Sequence, residues 1–140
     1  MGKSILLAED DLEDRLLFEE VFSNLPSKEY QLNTVGDGEE VLKWLEKIED
    51  SSALPHLIIL DHSMPLRNGR ETLSYLKNSP LYNAIPVIIY SSFSDKRFSD
   101  DCASLGVSAM MLKPSTYAEY IQMINTFLKY TTAPQVKKIS

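Results

Sequence analysis

Cysteine is nearly missing from this chain. Cys102 is the only one in 140 residues, so no internal disulfide can form, and a reducing cytoplasm is the simplest home. Basic residues are also in deficit. Fourteen Lys and Arg stand against 20 Asp and Glu, and the formal charge of −6 argues against a nucleic-acid backbone as partner, which would need a basic patch. No apolar run approaches the ~20 residues of a membrane span. No signal peptide is expected, because Met1-Gly2-Lys3 leads straight into a short apolar run, Ser4 to Ala8. Gly2 invites myristoylation, but Leu6 stands where that signal wants Ser or Thr. Internal repeats and linkers are absent too. The length fits one domain with a substantial core.

What is present is a set of uninterrupted apolar runs. Residues 4–8, 57–60, 86–90 and 107–112 do not alternate with polar residues, as expected of strands covered on both faces. A weaker run, Tyr30 to Val35, suits a strand nearer an edge. Helical spacing fills the gaps. Phe18, Val21, Phe22 and Leu25 recur at i, i+3, i+4 and i+7, and Val41, Leu42, Leu45 and Ile48 repeat the pattern. Leu73 and Leu76 anchor a segment over about 69–78. Phe98, Cys102 and Leu105 mark a helix stopped by Gly106, and Tyr117, Tyr120, Ile121, Ile124, Phe127 and Leu128 mark the last. The order βαβαβαβαβα predicts a doubly wound α/β sheet with right-handed crossovers. Residues 131–140 read as a frayed tail.

Three runs deliver a charged group just past their C-terminal ends: Glu9-Asp10-Asp11 after the first, Asp61 after the third, Lys113 after the fifth. Parallel strands put those ends on one edge. Glu9, Asp10 and Asp61 would supply oxygen ligands for Mg2+, which relieves the repulsion among them. The bland reading of residues 9–11 is a helix cap. Asp61 suits a ligand, a cap, or a nucleophile that forms an acyl phosphate. Lys113 suits a point charge on a phosphoryl oxygen, or an ordinary surface lysine. Ser91 adds a hydroxyl at the same edge, or a turn serine.

Taken together, Glu9-Asp10, Asp61-x-x-Met64-Pro65, Ser91 and Lys113-Pro114 closely resemble bacterial response-regulator receiver domains. Gly36-Asp37-Gly38-Glu39-Glu40-Val41 and Asn68-Gly69 are similar to that family as well. The resemblance implies a flavodoxin-like five-stranded sheet in the order 2-1-3-4-5 with five helices, over residues 1–130. It implies a signalling protein rather than an enzyme, one that takes a phosphoryl group onto Asp61 from a sensor histidine kinase or a histidine phosphotransfer protein and then switches partner binding. Asp10 would bind Mg2+ directly, Glu9 through water, and Ser63 through its backbone carbonyl. Ser91 would hydrogen-bond the phosphoryl group, Lys113 would pair with it, and Lys113–Pro114 would be cis. A homodimer on phosphorylation stays open. The loop before the third strand and the stretch 78–86 resemble stand-alone receivers that partner phytochrome-type kinases.

Departures from the family carry expectations of their own. Met110 stands where receivers commonly have Tyr or Phe, and Ser115 where Phe is frequent, so an aromatic switch on the fifth strand is not expected. Ser63 and Phe93 flank the path of hydrolytic water and point to slow loss of the phosphoryl group. Phe93 and Phe98 are candidates for a partner-facing apolar contact.

Other signals weigh less. Gly36-x-Gly38 lacks the third glycine of a dinucleotide loop, where Val41 stands, and is not on the first βα turn. His56 and His62 are not a metal pair, and Cys102 fits a core thiol. An aspartate-nucleophile phosphatase of the haloacid-dehalogenase type also uses Asp, Lys and Mg2+, but wants a second Asp where Ser63 stands. A phosphorelay intermediate without its own output is a further alternative. A flavin carrier would need a phosphate cradle where Glu9 to Asp11 would repel it.

Overall fold

A computed structural model describes residues 2–64, 66–92 and 95–132. The five apolar runs form strands β1 (Lys3–Ala8), β2 (Tyr30–Val35), β3 (Leu57–Asp61), β4 (Val87–Ser91) and β5 (Ala109–Leu112). Between them lie helices α1 (Leu12–Ser23), α2 (Gly38–Glu46), α3 (Gly69–Lys77), α4 (Lys96–Ser104) and α5 (Tyr117–Leu128), with short 3₁₀ turns at Ser51–Ala53 and Lys129–Thr132. All strand pairs are parallel and the order is β2-β1-β3-β4-β5, the doubly wound arrangement expected. The inner strands β3 and β4 are buried at every residue, whereas the edge strands β2 and β5 are mostly half-buried, so the run 107–112 is not covered on both faces as expected.

Strand periodicity divides the core in two. Leu6, Ala8, Ile58, Leu60 and Ile89 face α2, α3 and α4, where Val41, Leu45, Leu73, Leu76 and Cys102 meet them. Ile5, Leu7, Ile59, Ile88 and Tyr90 face α1 and α5, against Phe18, Val21, Met123 and Phe127. Cys102 is fully buried, as a core thiol should be.

Element boundaries differ from expectation at several places, since Leu25, Ile48 and Leu105 fall past the ends of α1, α2 and α4. Leu25 lies beyond the end of α1 but is still buried. The fifth strand begins at Ala109 rather than Val107, because the Val107 N–H donates back to Cys102 O at 3.1 Å. Gly106 permits that reversal with φ +95°. Of the proposed tail, Thr131 and Thr132 instead close the second 3₁₀ turn, where the buried Thr131 hydroxyl donates to Leu128 O at 2.7 Å, and residues 133–140 lie outside the described residues.

Register sets where the strand ends fall. Ala8 pairs with Leu60, Asp61 with Tyr90, and Ser91 with Leu112. The residues that end or follow these strands therefore share one edge of the sheet.

Candidate functional site

Local chemistry separates the three acids after β1. Asp11 caps α1, its Oδ1 accepting the N–H of Glu13 at 2.9 Å and of Asp14 at 3.2 Å. Glu9 and Asp10 are left for the edge of the sheet. Glu9 is fully buried, although a buried carboxylate is costly unless it is paired. Its Oε2 accepts the Asp11 N–H at 3.0 Å, and its Oε1 accepts the hydroxyl of Tyr90. Arg15 Nη2 donates to the Glu9 carbonyl at 3.2 Å and holds the loop backbone. Asp10 is exposed.

Asp61 ends β3 at 2% exposure. Its Oδ1 accepts the Ser63 N–H at 3.3 Å, so the chain turns sharply after the strand. Carboxylate oxygens of Glu9, Asp10 and Asp61 lie within 4.8 Å of one another. Lys113 follows β5. Its N–H donates to Ser91 O at 2.8 Å, which ties it to the end of β4. Lys113 Nζ is 3.3 Å from Glu9 Oε1, 3.3 Å from Asp61 Oδ1 and 3.0 Å from Asp14 Oδ2. The sheet therefore brings together Glu9, Asp10, Asp61, Ser91 and Lys113. Ser63 is exposed beside them.

Two participants are absent from the reading of the sequence. Asp14, in the first turn of α1, looks there like one more helix-start acid; the fold turns it toward Lys113. Tyr90 looks like the last residue of an apolar run; its hydroxyl reaches Glu9, and Lys113 Nζ sits 5.1 Å from its ring centroid.

The electrostatics follow from burial and crowding. Burial, then hydrogen bonding to and repulsion from Glu9, push the Asp61 carboxyl up to about 8, while Lys113 pulls in the opposite direction. Burial opposes the Lys113 ammonium, but Asp14, Asp61 and Glu9 together outweigh it and hold its pKa above the ordinary lysine range. Burial, then Glu9, raises the Tyr90 phenol well above its usual value. A pocket of hard oxygen donors with excess negative charge fits a divalent cation such as Mg2+.

Several expectations are corrected. The Lys113–Pro114 bond is trans, not cis. Trans is the lower-energy isomer of an X–Pro bond by about 0.5–1 kcal/mol, and with it Lys113 already reaches the acids. Phe98 is 8% exposed, its ring 4.1 Å from that of His62, so it belongs to the core stripe rather than to a partner-facing contact. Pro65, Phe93 and Ser94 lie outside the described residues, and with Phe93 the expectations placed on it. His56 Nδ1 accepts the Ser4 N–H at 3.1 Å, a strand-entry role. At Gly38 an added Cβ would stand 2.2 Å from Thr72 Oγ1 and 2.4 Å from Arg67 O, so this glycine serves close packing against α3 rather than a phosphate cradle.

Known proteins are similar to this chain in sequence and in fold. Response regulator Rcp1 of Synechocystis sp. is 27% identical over 124 residues, 87% of this chain and 84% of that protein. The crystal structure of the phosphorylated cyanobacterial phytochrome response regulator RcpA superposes with a TM-score of 0.83 at 27% identity, covering 96% of this chain and 98% of its own. The Mn2+-bound form of Rcp1 gives 0.81 at 26% identity, covering 95% and 98%. Receiver domains bind a divalent metal at this acidic site, and they are signalling proteins rather than classical enzymes. The model of the response regulator receiver domain matches residues 5–125, and the chain belongs to that family of two-component phosphoacceptors.

Proposed function

We propose that Asp61 accepts a phosphoryl group from a phosphohistidine on a sensor kinase or a histidine phosphotransfer protein, in the presence of Mg2+, and that the acyl phosphate switches partner binding. The observation that carries this reading is Lys113 Nζ standing 3.3 Å from both Glu9 Oε1 and Asp61 Oδ1, at the ends of three different strands. An Asp61 oxygen attacks phosphorus from the side opposite the imidazole. The P–O bond forms as the P–N bond breaks, and the imidazole nitrogen keeps the electron pair. Lys113, already beside Asp61, pairs with a phosphoryl oxygen as a point charge. Ser91 offers its hydroxyl to another.

Attack needs Asp61 ionised, and its burial, then the neighbouring Glu9, disfavours that. Asp10, Asp61 and the Ser63 carbonyl would hold Mg2+ directly, with Glu9 acting through water. Bound there, Mg2+ supplies the positive charge that keeps Asp61 ionised and screens the incoming phosphoryl oxygens. Loss of the phosphoryl group to water completes the cycle without a separate substrate.

The receiver unit runs to about residue 130 in this reading, with the tail beyond it. Among the described residues no helix is long and apolar enough to cross a membrane. The acidic charge disfavours direct DNA binding. With Cys102 alone no internal disulfide can form, and we place the protein in the reducing cytoplasm.

Incubation with acetyl phosphate and Mg2+ should add one phosphoryl group. Asp61→Asn should abolish the labelling, and chelation of the metal should stop it in the wild type. Undiminished labelling of the Asp61→Asn protein would overturn the assignment.

A further inference from the structure

Tyr90 is the residue before Ser91 on β4, and strand alternation sends its side chain to the α1/α5 side of the sheet. It is fully buried. Phe18 meets its ring edge-on, with centroids 6.2 Å apart and planes at 71°, and Phe127 does so at 6.4 Å and 85°. Ring contacts of this kind leave the phenol little freedom. Its hydroxyl donates to Glu9 Oε1.

The acceptor capacity of Glu9 then becomes informative. An ionised carboxylate offers about four lone-pair sites, two on each oxygen. Oε1 receives the Tyr90 hydroxyl and stands 3.3 Å from Lys113 Nζ, so both its sites are engaged. Oε2 receives the Asp11 N–H at 3.0 Å and keeps one site, which the Asp61 carboxyl takes only while it is protonated. That remaining site is the one Glu9 can offer to a cation or its water among Asp10 and Asp61. Resting on the receiver reading of the site, we infer that Tyr90 is a positioning residue for metal binding: its hydroxyl locks the Glu9 carboxylate so that only Oε2 serves the cation.

The competing account makes Tyr90 a core aromatic whose buried hydroxyl merely needs an acceptor. The two accounts differ in what a Tyr90→Phe change does. The phenyl ring keeps its contacts with Phe18, Phe127 and Lys113, and only the hydroxyl is lost. A structural role alone would move stability and leave metal affinity where it was. A positioning role moves metal affinity, and does so only while Glu9 is present to be positioned.

The experiment is a double-mutant cycle on the full chain, with Mg2+ titrated against amide chemical shifts of residues 9–11 and 61–63. Tyr90→Phe, shown folded by its dispersed spectrum, should weaken Mg2+ binding about tenfold, the scale of one hydrogen bond to a charged group. Glu9→Gln should weaken it as well, and adding Tyr90→Phe to Glu9→Gln should change nothing further. An unchanged affinity in Tyr90→Phe, or an equal loss in both backgrounds, overturns the inference. A measurement on the wild type guards against a variant that fails to fold. A buried hydroxyl proton held by Glu9 exchanges slowly and should give a downfield proton resonance that moves on adding Mg2+; no such resonance, or one unmoved at saturation, overturns it too. If the wild type neither binds Mg2+ nor takes a phosphoryl group from acetyl phosphate, the receiver reading of the site falls together with this one. Normal wild-type behaviour with an indifferent Tyr90→Phe variant removes only the role of Tyr90.

Discussion

Asp61 makes the metal-free site a source of instability. Burial and the neighbouring Glu9 push its carboxyl up to about 8, whereas an unfolded chain leaves an aspartate near the ordinary value of about 3.9. A carboxyl whose folded value is raised favours the fold while it is protonated. Its contribution is complete below about pH 4, declines as pH rises, and is gone above about pH 8. The metal-free protein should therefore melt lower at about pH 8 than at about pH 5, by several degrees, since 1 kcal/mol moves the midpoint of a domain this size by roughly 2–8 °C. Asp61→Asn should flatten that slope, and Mg2+ should restore the wild type far more than the variant. Thermal melts with chelator or with Mg2+ decide the matter, and a wild-type midpoint that rises with pH contradicts it. Asp14 competes for the same lysine at 3.0 Å. A pair that is partly open to solvent is worth about 0.2–1 kcal/mol, so Asp14→Asn should speed labelling of Asp61 by acetyl phosphate by up to about fivefold. A slower rate would mean that Asp14 assists Lys113 instead of holding it back. Glu9, Asp10, Asp61, Ser91 and Lys113 were legible because each ends or follows an apolar run. Asp14 and Tyr90 were not, because a helix-start acid and a strand-end aromatic look the same whether or not the fold aims them at a site.

Strands and helices were legible to different depths for physical reasons. The inner strands read as continuous apolar runs because helices cover both faces, whereas of the two half-buried edge strands β2 read weakly and β5 read as strongly as an inner strand. The start of β5 was misplaced by two residues, since Val107 is apolar but spends its N–H on the end of α4. The reciprocal cap of α3 was legible in principle from Asn68 and Glu71 at the spacing of a capping box, where the Asn68 side chain accepts the Glu71 N–H at 2.9 Å and Glu71 Oε1 accepts the Asn68 N–H at 3.0 Å. Close approach between elements is not written in the pattern. Gly38 opens α2 against Arg67 and Thr72 with no room for a methyl group, and Gly38→Ala should destabilise the fold by about 1–3 kcal/mol as α2 is forced off α3. Denaturant melts check this, and a loss within error of zero would show that the Arg67 loop yields freely.

Across the whole molecule, topology converts local chemistry into a switch. The order of the strands was expected from family resemblance, and the parallel register then follows through to one edge holding the site. How a change at that edge travels outward depends on what the core can rearrange. In the family an aromatic ring on the fifth strand fills space vacated by the hydroxyl that Ser91 supplies here. Met110 replaces it, half-buried on the α2/α3/α4 side, flexible enough to refill that space but with no ring to move between buried and exposed states. Phe98 is also committed to the core. Among the described residues, the exposed large apolar side chains of β5 and α5 are instead Leu112, Tyr117 and Ile121. Withdrawal of Lys113 from Asp14 toward a phosphoryl oxygen would pull on the backbone that carries them, because the Lys113 N–H is bound to Ser91 O. Output should accordingly run through α4, β5 and α5 by backbone displacement rather than by a ring flip. Leu12 and Leu16, exposed on α1, offer the competing surface. Amide chemical shifts with and without beryllofluoride, which mimics the acyl phosphate, separate the two. Perturbation concentrated in residues 95–121, with the aromatic side-chain signals of Phe98 and Tyr117 little changed, is the expected outcome. Shifts confined to α1, with residues 95–121 silent, would place the output on the opposite face and show that the Asp14–Lys113 pair transmits the signal through its other partner.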